Sequence, residues 1–280
     1  MTSLTPIINY NVTLMSRVLK ETWQVLRGYI KNRFTTRKEN TPTKGVFGNL
    51  PGFMVFSAIM LFACTPNPAT IETSMPTSTY RFLALGDSYT IGESVDPSER
   101  WPVQLAAAMR AEGLLLEDPI IIAQTGWTTS DLLAQIEASQ PQGPFDLVTL
   151  LIGVNNQYQG KDIESYREEF GKLLELSINL AGKNPGRVVV LSIPDWGVTP
   201  FAEGRERDRI RAQIDQFNRV NQTESLAAGV HYVDVTPISR QAAEDSRLLA
   251  ADQLHPSGKM YAAWVDLLRV TVTQILQPKR

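Results

Sequence analysis

The chain has few of the residues that define several large classes of protein. Cys64 is the only cysteine among 280 residues, so an internal disulfide is impossible. The two histidines, His231 and His255, leave no convincing metal cluster, which argues against metal-dependent phosphoester hydrolysis. A formal net charge of -2 supplies no positive field that would attract nucleic acid. We therefore expect no internal disulfide, no metal site and no nucleic-acid partner.

The overall composition is that of a folded, water-soluble protein. Hydrophobic residues make up 43% of the chain and charged residues 20%, and both values lie near the averages for globular domains. Because domains usually contain roughly 100–200 residues, a chain of 280 residues has room for one domain plus accessory sequence.

Residues 1–63 have the pattern of an export signal. Residues 17–44 contain eight Lys or Arg and only two Glu, and the apolar run 46–63 follows and ends directly before Cys64. This run is interrupted by Gly and Pro, whereas a spanning helix needs about 20 apolar residues. The pattern favours a secretory signal whose end resembles a bacterial lipobox, with Cys64 as the lipidated residue. A membrane anchor or a buried helix with a free cysteine is the alternative.

The segment around the apolar run suggests two further assignments. Residues 64–79 are rich in Pro, Thr and Ser, which is typical of a flexible tether between an anchor and a domain. Residues 1–43 make a long lead for a signal, so we leave open an amphipathic membrane-surface helix or a start codon placed too far upstream. The remaining residues, 80–280, are predicted to form the folded domain.

Short apolar runs alternate with longer segments of helical period in residues 80–280. This alternation predicts βαβ units and an α/β fold with a five-stranded parallel sheet covered on both faces. The predicted strands are 81–85, 120–123, 146–152, 187–193 and 231–235. The predicted helices are 102–111, 130–139, 163–181, 205–228 and 257–276.

Polar residues follow each predicted strand, where open parallel sheets bind ligands. Ser88 follows the first strand in the sequence Gly86-Asp87-Ser88, so its hydroxyl is expected to project into the crevice. By itself this serine could equally cap a helix or fill a turn. A catalytic serine needs an adjacent base, because a free hydroxyl is a weak nucleophile.

His255 is the better of the two candidate bases for Ser88. His231 opens an alternating strand pattern and is expected to be structural, whereas His255 lies in a loop before the last helix. Asp252 precedes His255 by three residues, so one turn can bring its carboxylate to Nδ1 of the imidazole. That contact would leave Nε2 to face Ser88. We expect Ser88, His255 and Asp252 to form a catalytic triad, although Asp252 alone could be a turn residue.

An acyl-transfer enzyme also needs donors for the oxyanion that develops on the carbonyl. Three candidates follow three different strands: the backbone N–H of Ser88, the backbone N–H of Gly126 and the side-chain amide of Asn155. A turn glycine and a loop asparagine are the ordinary alternatives. The coincidence of three donors with a histidine at one edge favours catalysis.

These residues, in this order, resemble the four blocks of the SGNH, or GDSL-like, hydrolase family. Gly86–Ser88, Gly126, Gly153–Asn155 and Asp252–His255 match the blocks. The resemblance implies a flavodoxin-like three-layer α/β/α sandwich and assigns the nucleophile, oxyanion and base roles as above. Two positions depart from the usual pattern: Tyr89 follows Ser88 in place of leucine, and Asn156 follows Asn155 in place of an acid.

The sequence thus predicts a serine esterase that cleaves small acyl or acetyl esters of a lipid or glycan through an acyl-enzyme on Ser88, without a cofactor. Tyr89, Trp127, Tyr158 and Trp196 are candidates to line the substrate site, although aromatic residues are more often core. A thioesterase, or a non-catalytic envelope lipoprotein that binds a glycan or protein, is the alternative. We expect an exported protein anchored to the membrane through Cys64, in an oligomeric state left open.

Overall fold

The computed structural model describes residues 79–277, whose core is a sheet of five parallel strands. The strand order is β2-β1-β3-β4-β5, the order of a flavodoxin-like doubly wound sheet. The α/β fold predicted from the sequence is therefore confirmed. The strands are β1 (Phe82–Gly86), β2 (Ile120–Ala123), β3 (Leu147–Leu151), β4 (Val188–Leu191) and β5 (His231–Val233).

Eight α-helices and six short 3-10 helices connect and cover these strands within the described residues. The α-helices are α1 (Ser88–Ile91), α2 (Trp101–Ala111), α3 (Thr129–Ser139), α4 (Val154–Tyr158), α5 (Ile163–Leu180), α6 (Arg207–Ala227), α7 (Thr236–Arg240) and α8 (Gly258–Leu276). The 3-10 helices are Pro97–Glu99, Pro185–Arg187, Trp196–Val198, Pro200–Ala202, Gln241–Ala243 and Ser246–Leu248.

The central strands are buried on both faces, as their uninterrupted apolar sequences require. Every residue of β1, β3 and β4 is buried, which is typical of parallel strands covered by helices on both sides. β1 lies between β2 and β3, with Leu83 paired to Ile120 on one side and Val148 on the other. The carboxyl ends of these strands consequently lie side by side.

Two layers of helices cover the sheet. α2 packs against α8, while α3 packs against α5 and α5 against α6. Both α8 and α5 contact the central strand β3. Trp101 of α2 and Trp264 of α8 are fully buried in the first layer. Burial of such large apolar side chains, worth about 25 cal/mol per Å² of area removed from water, fixes the helices over the sheet.

β4 and β5 are each two residues shorter at their carboxyl ends than predicted, because side chains replace the strand hydrogen bonds there. The N–H of Ile193 donates to Asn218 Oδ1 of α6 at 2.7 Å instead of to a strand. The N–H of Val235, just beyond β5, likewise donates to the Ser192 hydroxyl oxygen at 2.8 Å. The chain therefore leaves the sheet early and turns into the loops that hold polar residues.

Several predictions concern residues that the structure does not describe. The signal segment 1–63, Cys64 and residues 65–78 of the tether lie outside residues 79–277. Within the described part of the chain, none of the helices combines the length and apolar character needed to cross a membrane.

Candidate active site

A cavity of about 200 Å³ opens at the carboxyl ends of the strands and brings most of the predicted site residues together. The segments that follow β1, β2, β3 and β4 contribute to it, as does the loop before α8. Its walls are Ser88, Tyr89, Thr125, Gly126, Val154, Asn155, Tyr158, Trp196, Phe201, Leu254 and His255. A larger groove of about 710 Å³ runs along α3 and α5, but it contains none of the predicted catalytic residues.

Ser88 is held at the first turn of the short helix α1. Asp87 caps this helix by accepting a hydrogen bond from the Tyr89 N–H at 3.0 Å, and Gly92 ends it in a left-handed conformation, with φ of 69°. A side chain at Gly86 would collide with the Thr90 side chain of α1 and with the Leu151 carbonyl of β3. The strand and helix can therefore meet this closely only with glycine between them, which places Ser88, 4% exposed, at the cavity.

His255 and Asp252 form a direct pair. Nδ1 of His255 lies 2.6 Å from Oδ2 of Asp252, and Oδ1 of Asp252 accepts the backbone N–H groups of Leu254 and His255 at 3.0 Å. An ionised carboxylate only accepts hydrogen bonds, so Nδ1 carries the proton. In the neutral ring Nε2 is then left as the acceptor, which is the tautomer that a general base requires.

Ser94, which the sequence analysis did not identify, is a further hydrogen-bond donor to Asp252. Its hydroxyl donates to Asp252 Oδ2 at 2.7 Å, the same oxygen that contacts His255. Partial burial by itself would raise the pKa of Asp252, but the hydrogen bonds from His255, Ser94 and the backbone outweigh it and lower that pKa to about 2. Asp252 is therefore ionised throughout the neutral range.

Ser88 and His255 line the same cavity, but none of the hydrogen bonds among the described residues joins their side chains. In ligand-free structures such catalytic hydrogen bonds are often long and tighten when substrate binds. The ring of Tyr89 packs edge-on against the imidazole of His255, with the two ring centroids 5.7 Å apart.

Gly126 and Asn155 both face the cavity. Gly126 has φ of 88°, and a Cβ built there would meet no atom within 4 Å, so its backbone lies open to a ligand. Asn155 Nδ2 donates to the Trp127 carbonyl at 2.8 Å. An amide nitrogen carries two N–H donors, so this bond orients Asn155 and leaves its second N–H for the cavity.

Tyr89 and Asn156, the two residues that depart from the family pattern, both make defined contacts near the site. Tyr89 is 3% exposed and packs between His255 and the core. Asn156 is buried behind the site and braces the start of α3: its Oδ1 accepts the Thr129 N–H at 3.0 Å and its Nδ2 donates to the Thr129 hydroxyl at 2.7 Å. An amide supplies both a donor and an acceptor to Thr129, which an ionised acid could not do.

The predicted aromatic residues divide into lining and non-lining positions. Tyr89, Tyr158 and Trp196 line the cavity. Trp127 instead packs against the core, and its backbone carbonyl holds Asn155. Phe201, which the sequence analysis did not single out, is 41% exposed and lines the cavity beside Tyr158.

Two of the residues that the sequence analysis missed, Glu93 and Ser94, come from the segment after α1. Ser94 reaches Asp252 across 158 positions of the chain, and Glu93 accepts a hydrogen bond from the hydroxyl of Thr125, next to Gly126. Ser94 has φ of 64°, an uncommon conformation for a residue other than glycine. No sequence pattern marks such a contact, because it depends on how two distant loops meet.

His231 lies in β5, as predicted, and does not line the cavity. Within residues 79–277, no group of three or more His, Cys, Asp or Glu side chains is arranged to hold a metal ion.

Comparison with known families gives one match. Residues 84–263 match the family model of the GDSL-like Lipase/Acylhydrolase family. This range contains Ser88, Gly126, Asn155, Asp252 and His255 and spans most of the described domain. A search of curated protein sequences found no match.

Solved structures of similar fold cover most of the described domain. TesA matches with a TM-score of 0.56 at 18% identity, covering 70% of this chain and 99% of that chain. The psychrotrophic esterase EstA from Pseudoalteromonas sp. matches with a TM-score of 0.54 at 18% identity, covering 70% and 97%. A variant of Axe2, an acetyl xylan esterase from Geobacillus stearothermophilus, matches with a TM-score of 0.52 at 20% identity, covering 72% and 98%.

Proposed function

Because the chain belongs to the GDSL-like Lipase/Acylhydrolase family and is therefore an ester-hydrolysing enzyme, we propose that Ser88 is its nucleophile and His255 its general base. The observation that carries this proposal is the Asp252–His255 pair, joined at 2.6 Å, on the wall of the cavity that Ser88 also lines. A serine, a histidine and an orienting carboxylate at one site are what acyl transfer through a covalent intermediate requires.

In the first half-reaction, Ser88 Oγ attacks the ester carbonyl carbon while Nε2 of His255 takes the hydroxyl proton. The bond between the carbonyl carbon and the alcohol oxygen then breaks, and the imidazolium returns its proton to the leaving alcohol. Asp252, held ionised by its donors, stabilises the imidazolium between these two steps. An acyl group remains on Ser88.

The second half-reaction uses the same groups with water as the nucleophile. His255 takes a proton from water as the oxygen attacks the acyl carbon, and the proton passes to Ser88 Oγ as the acyl–oxygen bond breaks. The carboxylic acid leaves and the serine is restored. No group outside the chain is consumed except one water per ester.

We assign three donors to stabilise the negative charge that develops on the carbonyl oxygen: the N–H of Ser88, the N–H of Gly126 and the side chain of Asn155. The open backbone at Gly126 and the pre-oriented amide of Asn155 support this assignment. Donors fixed before the reaction do not need to reorganise when charge develops, which is the main source of their effect.

The size of the cavity favours a short acyl group. About 200 Å³ is below the roughly 300–1,000 Å³ of typical ligand sites, so we propose acetyl or other small acyl esters of a glycan or lipid. The aromatic wall of Tyr158, Trp196 and Phe201 would contact the rest of the substrate. A small acyl thioester presents the same carbonyl and belongs in the same assay.

The test compares hydrolysis of p-nitrophenyl acetate by the wild type and by Ser88→Ala. We expect kcat to fall by at least about 10³-fold, since loss of the nucleophile removes the covalent route. Ser98→Ala is the matched control, because Ser98 is exposed in the nearby 3-10 helix Pro97–Glu99 and should keep full activity. Equal turnover by Ser88→Ala and the wild type would end the nucleophile assignment.

We also propose that residues 1–63 direct export, that Cys64 carries a lipid anchor and that residues 64–79 tether the enzymatic domain 80–280 to the membrane. The basic lead, the apolar run and the position of Cys64 support this. Metabolic labelling of the full chain with a radioactive fatty acid should succeed for the wild type and fail for Cys64→Ser. Label that persists in Cys64→Ser would contradict the anchor.

A further inference from the structure

An arginine side chain lies over the aromatic wall of the cavity. The guanidinium carbon of Arg205 is 5.3 Å from the centroid of the Tyr158 ring, 5.4 Å from that of Trp196 and 5.2 Å from that of Phe201. Cation–π attraction operates within about 6 Å of a ring. Three rings thus hold one cation in a defined place directly before helix α6.

The same three rings line the cavity that contains Ser88. They also form a continuous cluster, since the Tyr158 and Trp196 centroids are 5.5 Å apart and those of Trp196 and Phe201 are 5.9 Å apart. Tyr158 is 48% exposed, an unusual degree for a ring in such a cluster. The rings that a substrate in the cavity would contact are therefore the same rings that pack against Arg205.

The charge of Arg205 is not neutralised by the described residues. No carboxylate between residues 79 and 277 forms an ion pair with it, whereas the nearby Arg209 is paired with Glu206 at 3.3 Å and Arg211 approaches Asp195 at 3.7 Å. Among the described residues, the one hydrogen bond made by the Arg205 side chain is a long one of 3.3 Å, from Nη2 to the Tyr158 hydroxyl oxygen.

The geometry of a guanidinium explains why this arrangement suits a ligand. The group is planar and carries five N–H donors that point outward in its plane. The Arg205 side chain uses one N–H for the Tyr158 hydroxyl, so other donors remain available for the two oxygens of a carboxylate or phosphate. A depression of about 330 Å³ beside the guanidinium, lined by Tyr158, Trp196 and Arg205 among others, shares the first two residues with the catalytic cavity.

We propose that Arg205 and its three rings form a subsite for an anionic group, a carboxylate, sulfonate or phosphate, carried by the ester substrate. This proposal rests on the proposed function, because the subsite has meaning only relative to Ser88. The substrate would then be an ester whose carbonyl lies at Ser88 while its charged end lies at Arg205, with the apolar part between them against Tyr158, Trp196 and Phe201.

The kinetic test compares a neutral ester with two anionic ones. p-Nitrophenyl acetate is neutral, the monoester of p-nitrophenol with succinic acid has a carboxylate on the acyl side, and 4-acetoxybenzenesulfonate has its charge on the alcohol side. In Arg205→Gln, kcat/KM for at least one anionic ester should fall about tenfold more than for the neutral ester. The ester affected identifies which side of the bond faces Arg205.

Two controls separate a specific subsite from general charge. Arg269→Gln removes a surface arginine that is already paired with Glu112 and lines neither the cavity nor the depression, so it should leave the ratio of anionic to neutral kcat/KM within about twofold of the wild type. Arg205→Lys keeps the charge without the planar donors and should recover only part of the ratio. If Arg205→Gln leaves both anionic ratios at the wild-type value, the subsite is refuted while hydrolysis by Ser88 stands.

A binding measurement reads the subsite without turnover. Calorimetric titration with phenylphosphonate should give a Kd at least about fivefold weaker for Arg205→Gln than for the wild type, and the difference should shrink as salt is raised, since exposed charges are screened. Equal Kd values would overturn the proposal. Because this readout needs no ester, failure of the proposed function, seen as a wild type that hydrolyses none of the esters, remains distinguishable from failure of the subsite.

Discussion

Two aspartates lie near the cavity, Asp87 on the interior side next to Ser88 and Asp252 on the cavity side next to His255, and they differ in burial and in hydrogen-bond donors. Asp87 is fully buried, and no protein donor among the described residues reaches its Oδ2. Burial raises the pKa of Asp87 to about 7, against the opposing effect of backbone hydrogen bonds from Tyr89 and Asp87. Asp252 keeps 30% of its side chain exposed, and its donors lower its pKa to about 2.

The difference follows from burial and from the number of donors, and only Asp252, among the described residues, is hydrogen-bonded to His255. Asp252 accepts hydrogen bonds from His255, Ser94 and two backbone N–H groups, so its charge is stabilised where an imidazolium must form. Asp87 caps the helix that holds Ser88. We therefore propose that Asp252, on the cavity side, takes part in catalysis and that Asp87, on the interior side, supports α1.

The strongest test of the cavity side is Asp252→Asn. The amide cannot stabilise the imidazolium and can hold His255 in the wrong tautomer, so kcat should fall by roughly 10³–10⁴-fold. Asp245→Asn is the matched control, because Asp245 is paired on the exposed surface with Arg247 and Lys259. Steady-state kinetics with p-nitrophenyl acetate measures both, and a loss below about tenfold in Asp252→Asn would remove Asp252 from the triad.

Removal of one oxyanion donor should have the next largest effect. We expect Asn155→Ala to lower kcat by roughly 10²–10³-fold with little change in KM, because the lost hydrogen bond forms mainly in the transition state. Asn184→Ala, at the distant 3-10 helix Pro185–Arg187, is the control for a general asparagine effect. An Asn155→Ala enzyme with a normal kcat but a raised KM would instead indicate a role in binding substrate.

Asp87 should affect stability rather than kinetics, with a sign set by its raised pKa. The native pKa of about 7 exceeds the unfolded value of 3.8, so between these pH values the native state holds more protons and stability falls as pH rises. The slope is at most about 1.4 kcal/mol per pH unit. Urea unfolding at pH 5, 6 and 7 should show this decline in the wild type and a shallower one in Asp87→Asn. Parallel slopes would contradict the assignment.

Ser94 should give the smallest of these effects. Ser94→Ala removes one of several donors to Asp252, which should raise the pKa of Asp252 and reduce kcat/KM by about tenfold, equivalent to the roughly 1.5 kcal/mol of one hydrogen bond to a charged group. Ser94→Asn keeps a hydrogen-bond donor and tolerates the positive φ of this position, so it should restore part of the activity. A Ser94→Ala enzyme that loses stability but keeps kcat/KM would show that Ser94 acts only on the fold.

Most of the fold could be predicted because its signals are local. The apolar runs of β1, β2 and β3 and the helical periods of α2, α3, α5 and α8 predicted the ends of these elements to within one residue. The ends of β4 and β5 could not be predicted, because the side chains of Asn218 and Ser192 take over hydrogen bonds there from positions far along the chain. Helices as short as α1 and α4 also lack a full period to detect.

The site residues likewise fall into two groups, those that local sequence could predict and those whose roles depend on long-range contacts. Ser88, Gly126, Asn155 and His255 each follow a strand or precede a helix, so topology alone predicted that they would share one edge, and they share one cavity. Ser94 and Phe201 were missed because their roles come from contacts between loops. The donors that lower the pKa of Asp252 likewise could not be counted before the loop around residue 94 was placed.

The central claim, that Ser88 is the activated nucleophile of this cavity, is tested most directly by reaction of the folded domain with a fluorophosphonate followed by peptide mass mapping. The account predicts one adduct per chain, on the peptide that contains Ser88. It predicts that His255→Ala slows labelling by at least about 10²-fold, because the base is lost. An adduct on another serine, or undiminished labelling of Ser88→Ala, would contradict it.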